Sequence, residues 1–260
     1  PGGGEARLKW LNSETGSWTD VETPLLSGSQ CKPWLAGPYW NHPVIDKDGY
    51  LCLSFMWHCP STEDERVNNN HLSYARFTQD FQFWETQAKH CLKLPITPLT
   101  NEVILAVPIG SNLINQTSMA MNSKGYPHIA FYANDVNGIP QYQHLYWTGK
   151  RWKNHILSKR NSTFSLIGRG TLPLPISRPV ILIDRLDRVY VIFQGDLTKN
   201  RLAALFLQPP DYSVKKSKLL ILTEESLGSS EPVIDFQRWQ RDNILSVLMQ
   251  ATDQPQGDNN

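Results

Sequence analysis

Apolar and polar positions in this chain alternate in short runs, and one arrangement of them returns. In VIDKDGYLCLSFMW (44–57) a polar tetrad, Asp46 to Gly49, separates two apolar runs. SMAMNSKGYPHIAFY (118–132) repeats the pattern about Asn122 to Gly125, and VILIDRLDRVYVIFQ (180–194) repeats it about Asp184 to Arg188. VIDFQRWQRDNILSVLMQ (233–250) is a longer, degenerate fourth copy. Asp, Asn and Gly supply the positive-φ positions of hairpin turns, and the β-branched and aromatic flanks supply strand propensity. Each copy therefore predicts a β-hairpin.

A second hairpin follows each of the first three: HLSYARFTQDFQFWET with Trp84, QYQHLYWTGKRWKNHIL with Trp152, and RLAALFLQPPDYSVKKSKLL without a tryptophan. A matching half-unit, ARLKWLNSETGSWTDV with Trp18, opens the chain. These tryptophans lie 66 and 68 residues apart, so the unit is four strands in about 67 residues. Four-stranded units at such a period are the blades of a β-propeller. The predicted fold is all-β, one propeller domain over 1–260 with a half blade at 1–30, blades at 38–95, 112–160 and 175–222, and a half blade at 228–250. Outer strands come first and inner strands last. That phase suits a four-bladed ring closed through a split blade or, as the preferred reading, the C-terminal portion of a larger propeller. Helical periodicity is nowhere sustained, and 18 prolines argue against long helices.

Composition narrows the partners more than the fold. Forty per cent hydrophobic residues supply an ample core, while a net charge of +1 sets up no global field for nucleic acid or an anionic membrane. No run of about 18 apolar residues is present to span a bilayer. The opening PGGGEARLKW passes from a loop straight into a strand, the start expected of a mature or truncated product. Cys31, Cys52, Cys59 and Cys91 are too few for a disulfide scaffold, and Cys52 reads as core. His58-Cys59 and His90-Cys91 set imidazole beside thiol, which suits zinc. Without CxxC or HxxxH spacing they read first as packed strand ends. No cofactor is required on this reading, a structural zinc or calcium ion is the alternative, and the expected state is a monomer.

The tryptophan after a tight turn in TGKRWKN and the paired hairpins such as NSKGYPHIAFY are marks of BNR-repeat propellers. HPVIDKDGYLCLSFMWH, LINQTSMAMNSKGYPHIAFY, PQYQHLYWTGKRW and ISRPVILIDRLDRVYVIF together resemble the bacterial BNR-repeat family that includes ulvan lyases and rhamnose-glucuronate-cleaving enzymes, over residues 5–250. An intact Asp box, S-x-D-x-G-x-T-W, is absent, which sets the sialidase reading behind the lyase one. The resemblance implies an extracellular or periplasmic carbohydrate-active protein of about seven blades. It further implies histidine, tyrosine and arginine in a central groove, with His58 as the best positional match to a groove histidine. His42 falls close to the place of the family's base, offset by a couple of residues.

The lead-ins to the innermost strands form a second pattern: Asn41-His42-Pro43, Asn115-Gln116-Thr117, Ser177-Arg178-Pro179 and Ser230-Glu231-Pro232. Innermost strands of a propeller converge on its axis, so His42, Gln116, Arg178 and Glu231 should meet around one channel mouth. That set suits β-elimination on a uronic acid polymer. Arginine neutralises the carboxylate, histidine takes the adjacent proton, and a tyrosine or second histidine protonates the departing oxygen. The candidates are Arg178, His42 or His58, and Tyr132 or Tyr142, with Asn41, Gln116, Tyr142, Arg169 and Glu231 as substrate contacts and a polysaccharide or oligosaccharide as partner. The plainer alternative is that these groups hydrogen-bond the next blade and that X-Pro only sets an extended backbone. Three long segments, 60–71, 94–115 and 158–179 with Arg169, are expected as rim loops. Two other functions compete. A glycoside hydrolase would draw its carboxylates from Glu231, Asp135 and Asp196, and a noncatalytic propeller would bind glycan or protein without turnover.

Overall fold

The computed structural model describes residues 4–20, 23–29, 36–59, 68–77, 83–167 and 172–251. The first strands are β1 (Glu5–Ala6), β2 (Lys9–Asn12), β3 (Ser17–Asp20) and β4 (Leu26–Ser27); β2 and β3 form a hairpin, and β4 returns to pair with β1. A larger antiparallel sheet follows, built from β5 (Gly37–Trp40), β6 (Val44–Ile45), β7 (Leu51–His58), β8 (Asn69–Phe77), β9 (Trp84–Glu85), β10 (Cys91–Leu92) and β11 (Val103–Leu105). Two regular four-stranded meanders come next. One is β12 (Ser118–Met121), β13 (Pro127–Asn134), β14 (Pro140–Trp147) and β15 (Trp152–Ile156); the other is β16 (Val180–Ile183), β17 (Val189–Phe193), β18 (Ala203–Leu207) and β19 (Lys218–Ile221). The last unit pairs β20 (Val233–Ile234) with β21 (Val247–Leu248) across a helix, α1 (Phe236–Asp242). These sheets are propeller blades, each laid against the next.

Side-chain alternation explains the stacking. Successive residues of a strand face opposite sides of its sheet. In β13, Ile129, Phe131 and Ala133 pack with Cys52, Met56 and Tyr74 of the preceding blade. Ala130 and Tyr132 of the same strand pack with Ile181, Val191 and Phe193 of the following one. In β17, Val189 and Val191 face back while Ile192 faces forward to Ile234 and Trp239. Middle strands are thus buried on both faces and read as continuous apolar runs. Each fully buried large side chain contributes roughly 1.5–3 kcal/mol.

The repeated turns share one device. Asp46 Oδ1 accepts from the backbone N–H of Asp48 and Tyr50, both at 2.9 Å; Asn122 Oδ1 does so for Lys124 and Tyr126 at 3.0 Å, and Asp184 Oδ1 for Leu186 and Arg188 at 2.9 and 3.0 Å. The residue three places on is left-handed, Gly49 at φ 80° and Gly125 at φ 74°. Asp187 fills that place in the third copy at φ 58°, and its carboxylate accepts from Ser123 N and Oγ of the neighbouring turn, both at 2.7 Å.

Two expectations are corrected. The fourth hairpin is two short strands around α1, because Asp235 caps a helix there, its side chain accepting from Arg238 N, and Trp239 of that helix packs onto Tyr190. Residues 94–115 are no free rim loop. β11 adds to the edge of β8, and Ile104, Val107 and Leu113 are buried in the core between the two blades. Residues 60–67 of the first long segment lie outside the described residues.

Candidate functional site

The inner strands β6, β12, β16 and β20 line one cavity of about 670 Å³, with Phe236 and Trp239 of α1 on its far wall. All four polar lead-ins border it: Asn41 and His42, Gln116, Arg178 and Glu231. Neighbouring strands hold the wall together, since Ser118 Oγ accepts from Ile181 N at 3.1 Å and Thr117 Oγ1 lies 3.3 Å from Ser54 Oγ. The described residues include no helix long and apolar enough to cross a membrane.

His42 owes its place to a break in the ladder. Trp40 pairs with Phe55 and Val44 with Cys52, so three residues, 41 to 43, stand opposite two. This extra residue makes a β-bulge, the irregularity that redirects a side chain. Asn41 Oδ1 fills the gap by accepting from Ser54 N at 3.2 Å, which leaves its buried Nδ2 without a partner on the cavity wall. Pro43 has no N–H to lose. His42 and Gln116 are exposed, and neither has a hydrogen-bond partner among the described residues.

Arg178 and Glu231 form a close pair. Arg178 Nε donates to Glu231 Oε2 at 2.9 Å and Nη2 to the same oxygen at 2.5 Å, while the Arg178 backbone N–H donates to Oε1 at 2.6 Å. Hydrogen bonding to Glu231 pushes the guanidinium above its already high ordinary value, so it is always a cation. Nη1 donates to the Asn115 carbonyl at 3.2 Å. A guanidinium has five N–H groups, which leaves two uncommitted at the cavity mouth.

A polar chain joins this pair to His58, which lies outside the cavity lining. Asn69 Nδ2 donates to the Leu113 carbonyl at 2.9 Å and approaches Asn115 Oδ1 at 3.4 Å. That fixes the amide, so Asn69 Oδ1 accepts from His58 Nδ1–H at 2.8 Å. Tyr39 abuts the imidazole edge-on. Sequence reasoning passed over Asn69; the polar run Asn68-Asn69-Asn70-His71 at the start of a strand was the available signal.

The two tyrosines stand elsewhere than expected. Tyr142 is buried with its hydroxyl 2.9 Å from the carbonyl oxygens of both Ser177 and Gln194, able to donate to one at a time. Tyr132 is fully buried against Tyr142 and Phe164, and its hydroxyl has no partner. Burial, then the charge of Glu231, pushes the Tyr132 phenol far above its ordinary range. Neither ring lines the cavity, because a middle strand faces a neighbouring blade on both sides. Asp196 is tied to Arg160 and Ser162, and Asp135 to its own turn and Gln141. Glu231 is therefore the single carboxylate among the described cavity-lining residues. Arg169 lies outside the described residues. Among the described residues no three His, Cys, Asp or Glu side chains come together as metal ligands.

Residues 1–160 match the model of a family described as BNR repeat-containing family member. Among solved structures, an ulvan lyase of polysaccharide lyase family PL25, determined free and bound to -[GlcA(1-4)Rha3S]-, superposes with a TM-score of 0.62 at 12% identity, covering 88% of this chain and 52% of that one. Polysaccharide lyase Uly1 gives 0.60 at 11% identity, covering 90% of this chain and 47% of that one. This chain thus spans about half the length of those two proteins. No curated protein matches it.

Proposed function

The chain belongs to the BNR repeat-containing family, and from that premise we propose that it is a carbohydrate-active propeller whose axial cavity performs β-elimination on a uronate-containing polysaccharide, with ulvan-like, rhamnose-linked polymers as the first choice of substrate. The observation that carries the reading is the Arg178 guanidinium at the cavity mouth, fixed by Glu231 and the Asn115 carbonyl with two N–H groups left for a substrate carboxylate. Neutralising that carboxylate makes the neighbouring C–H acidic. His42, exposed and unpartnered in the same cavity, takes the proton; the bond to the departing oxygen breaks, a carbon–carbon double bond forms, and the imidazolium returns the proton to the oxygen. His58 acts on Arg178 through Asn69 and Asn115 as a positioning residue. Hydrolysis in most glycosidase families needs two carboxylates, and Glu231, already paired with Arg178, is the one described on the cavity wall.

The test is incubation of the protein, in its full-length form, with ulvan and a panel of uronate polymers, followed by ultraviolet absorbance of the unsaturated product and by reducing ends. Both should rise together, and Arg178→Ala should lower the rate by on the order of 10²-fold or more. Reducing ends without ultraviolet absorbance would establish hydrolysis instead. Neither signal, with saturable binding that Arg178→Ala weakens, would leave a noncatalytic glycan-binding propeller.

A further inference from the structure

A second cavity, of about 750 Å³, opens at the other end of the inner strands, where the β6–β7 turn meets the β12–β13 and β14–β15 turns. Three lysines border it, Lys89, Lys124 and Lys150, and none has a carboxylate partner among the described residues. The other charges there are already engaged. Arg76 is paired with Glu85 and stacked on Tyr50, Asp48 is paired with Lys47, and Asp46 holds its own turn. The cavity therefore carries uncompensated positive charge that the fold does not use.

Gln87 is the second, independent observation. It borders the same cavity, is 8% exposed, and its Oε1 is buried without a hydrogen-bond partner. A buried acceptor left unpaired is costly, so the site calls for a donor from outside. Two half-buried aromatic rings, Tyr126 and Trp147, complete the wall. Gly149 admits Tyr126: a Cβ there would stand 3.0 Å from the tyrosine hydroxyl.

We propose that this cavity is a second saccharide site, on the face opposite Arg178, for a sugar residue bearing an anionic group, either a carboxylate or a sulfate ester. Lys89, Lys124 and Lys150 take the anion, a ring hydroxyl donates to Gln87 Oε1, and Tyr126 and Trp147 offer apolar surface to the sugar ring. A bare sulfate would answer the lysines and leave Gln87 unpaired, since it has no proton to donate. The ligand class rests on the reading above; the site rests on its own residues.

Affinity electrophoresis tests it, with polygalacturonate as the carboxylate probe, dextran sulfate as the sulfate probe and dextran as the neutral one. Wild type should be retarded by one or both anionic polymers and not by dextran, and the polymer that retards it identifies the anion. K124A/K150A should raise the Kd on the order of tenfold, and Gln87→Leu should raise it severalfold. K215A/K216A, on an exposed helical turn that does not line the cavity, should leave it unchanged. The proposal falls if wild type binds neither anionic polymer, if K124A/K150A binds as wild type does, if K215A/K216A weakens binding equally, or if Gln87→Leu has no effect. Arg178→Ala separates the two sites. Loss of binding in that variant alone overturns this proposal and leaves the axial site standing, whereas loss in K124A/K150A alone supports this one and counts against the other.

Discussion

Acid should unfold this protein through two histidines that take no part in either cavity. His128 and His144 face each other across β13 and β14, fully buried, with Nδ1 of one 2.9 Å from Nε2 of the other. One ring donates and the other accepts, so at least one must be neutral, and burial away from any anion favours the neutral form of both. Their outer nitrogens, His128 Nε2 and His144 Nδ1, are buried without partners. The groups around them are Tyr146, Tyr212 and His155, none of them anionic, so nothing nearby stabilises an imidazolium. Burial lowers His128 to about 3, and burial followed by the neighbouring His128 lowers His144 well below its ordinary value. Between the ordinary histidine value and these depressed ones the unfolded chain binds protons that the folded chain refuses, so stability is whole above about pH 6.5 and is lost as pH falls below it. At pH 5 the loss from His128 is about 2 kcal/mol, and His144 adds to it in the same direction. Asp184 and Asp196 add nothing over this range: burial raises them, but hydrogen bonds from Arg188 and from Arg160 and Ser162 outweigh it and hold both below 3.8. Glu102, raised by burial, pulls weakly the other way. Thermal unfolding followed by circular dichroism at pH 7 and pH 5 should show a fall of more than about 4 °C. His144→Gln keeps an amide in place of the ring and should make that fall smaller, whatever its stability at pH 7. An equal fall in the variant, or none in wild type, would refute the assignment.

The tyrosines give opposed expectations. Tyr142→Phe strips the hydroxyl from two buried carbonyls and should cost on the order of 1–3 kcal/mol, whereas Tyr132→Phe, whose hydroxyl has no partner, should be neutral or slightly stabilising; urea midpoints separate them. Phe131→Ala opens a hole between two blades and should cost about 3–5 kcal/mol in the same titration, while a change under about 1 kcal/mol would contradict the described packing.

The blades were legible because their turns are chemically marked. Asp46, Asn122 and Asp184 each cap a turn through one oxygen, and glycine or an aspartate supplies the left-handed residue, so the hairpins could be placed to within a residue or two. The helix at Phe236–Asp242 was not, since seven residues give under two turns of periodicity and their apolar contacts are with the neighbouring blade. The segment 94–115 was misread for a related reason. Its length suggested a loop, yet Ile104, Val107 and Leu113 are the side chains that seal the two blades.

Site residues divide along the same line. His42, Gln116, Arg178 and Glu231 could be gathered from sequence because one position of a repeat recurs at one place around an axis, a relation that spacing alone carries. Tyr132 and Tyr142 could not be told from groove residues, because alternation in a middle strand sends every side chain into a blade interface and leaves no polar face to betray the orientation. Asn69, and the lysines with Gln87 at the far end, come from different blades with no common register, so only folding brings them together. The same distinction bears on chemistry. Repeat positions put an arginine and a glutamate at one mouth, but their pairing, which together with the Asn115 carbonyl leaves Arg178 two free donors in place of five, is set by the approach of β16 to β20. An acidic ligand reaching Arg178 therefore meets a cation already half answered, held in orientation by the carboxylate it must share.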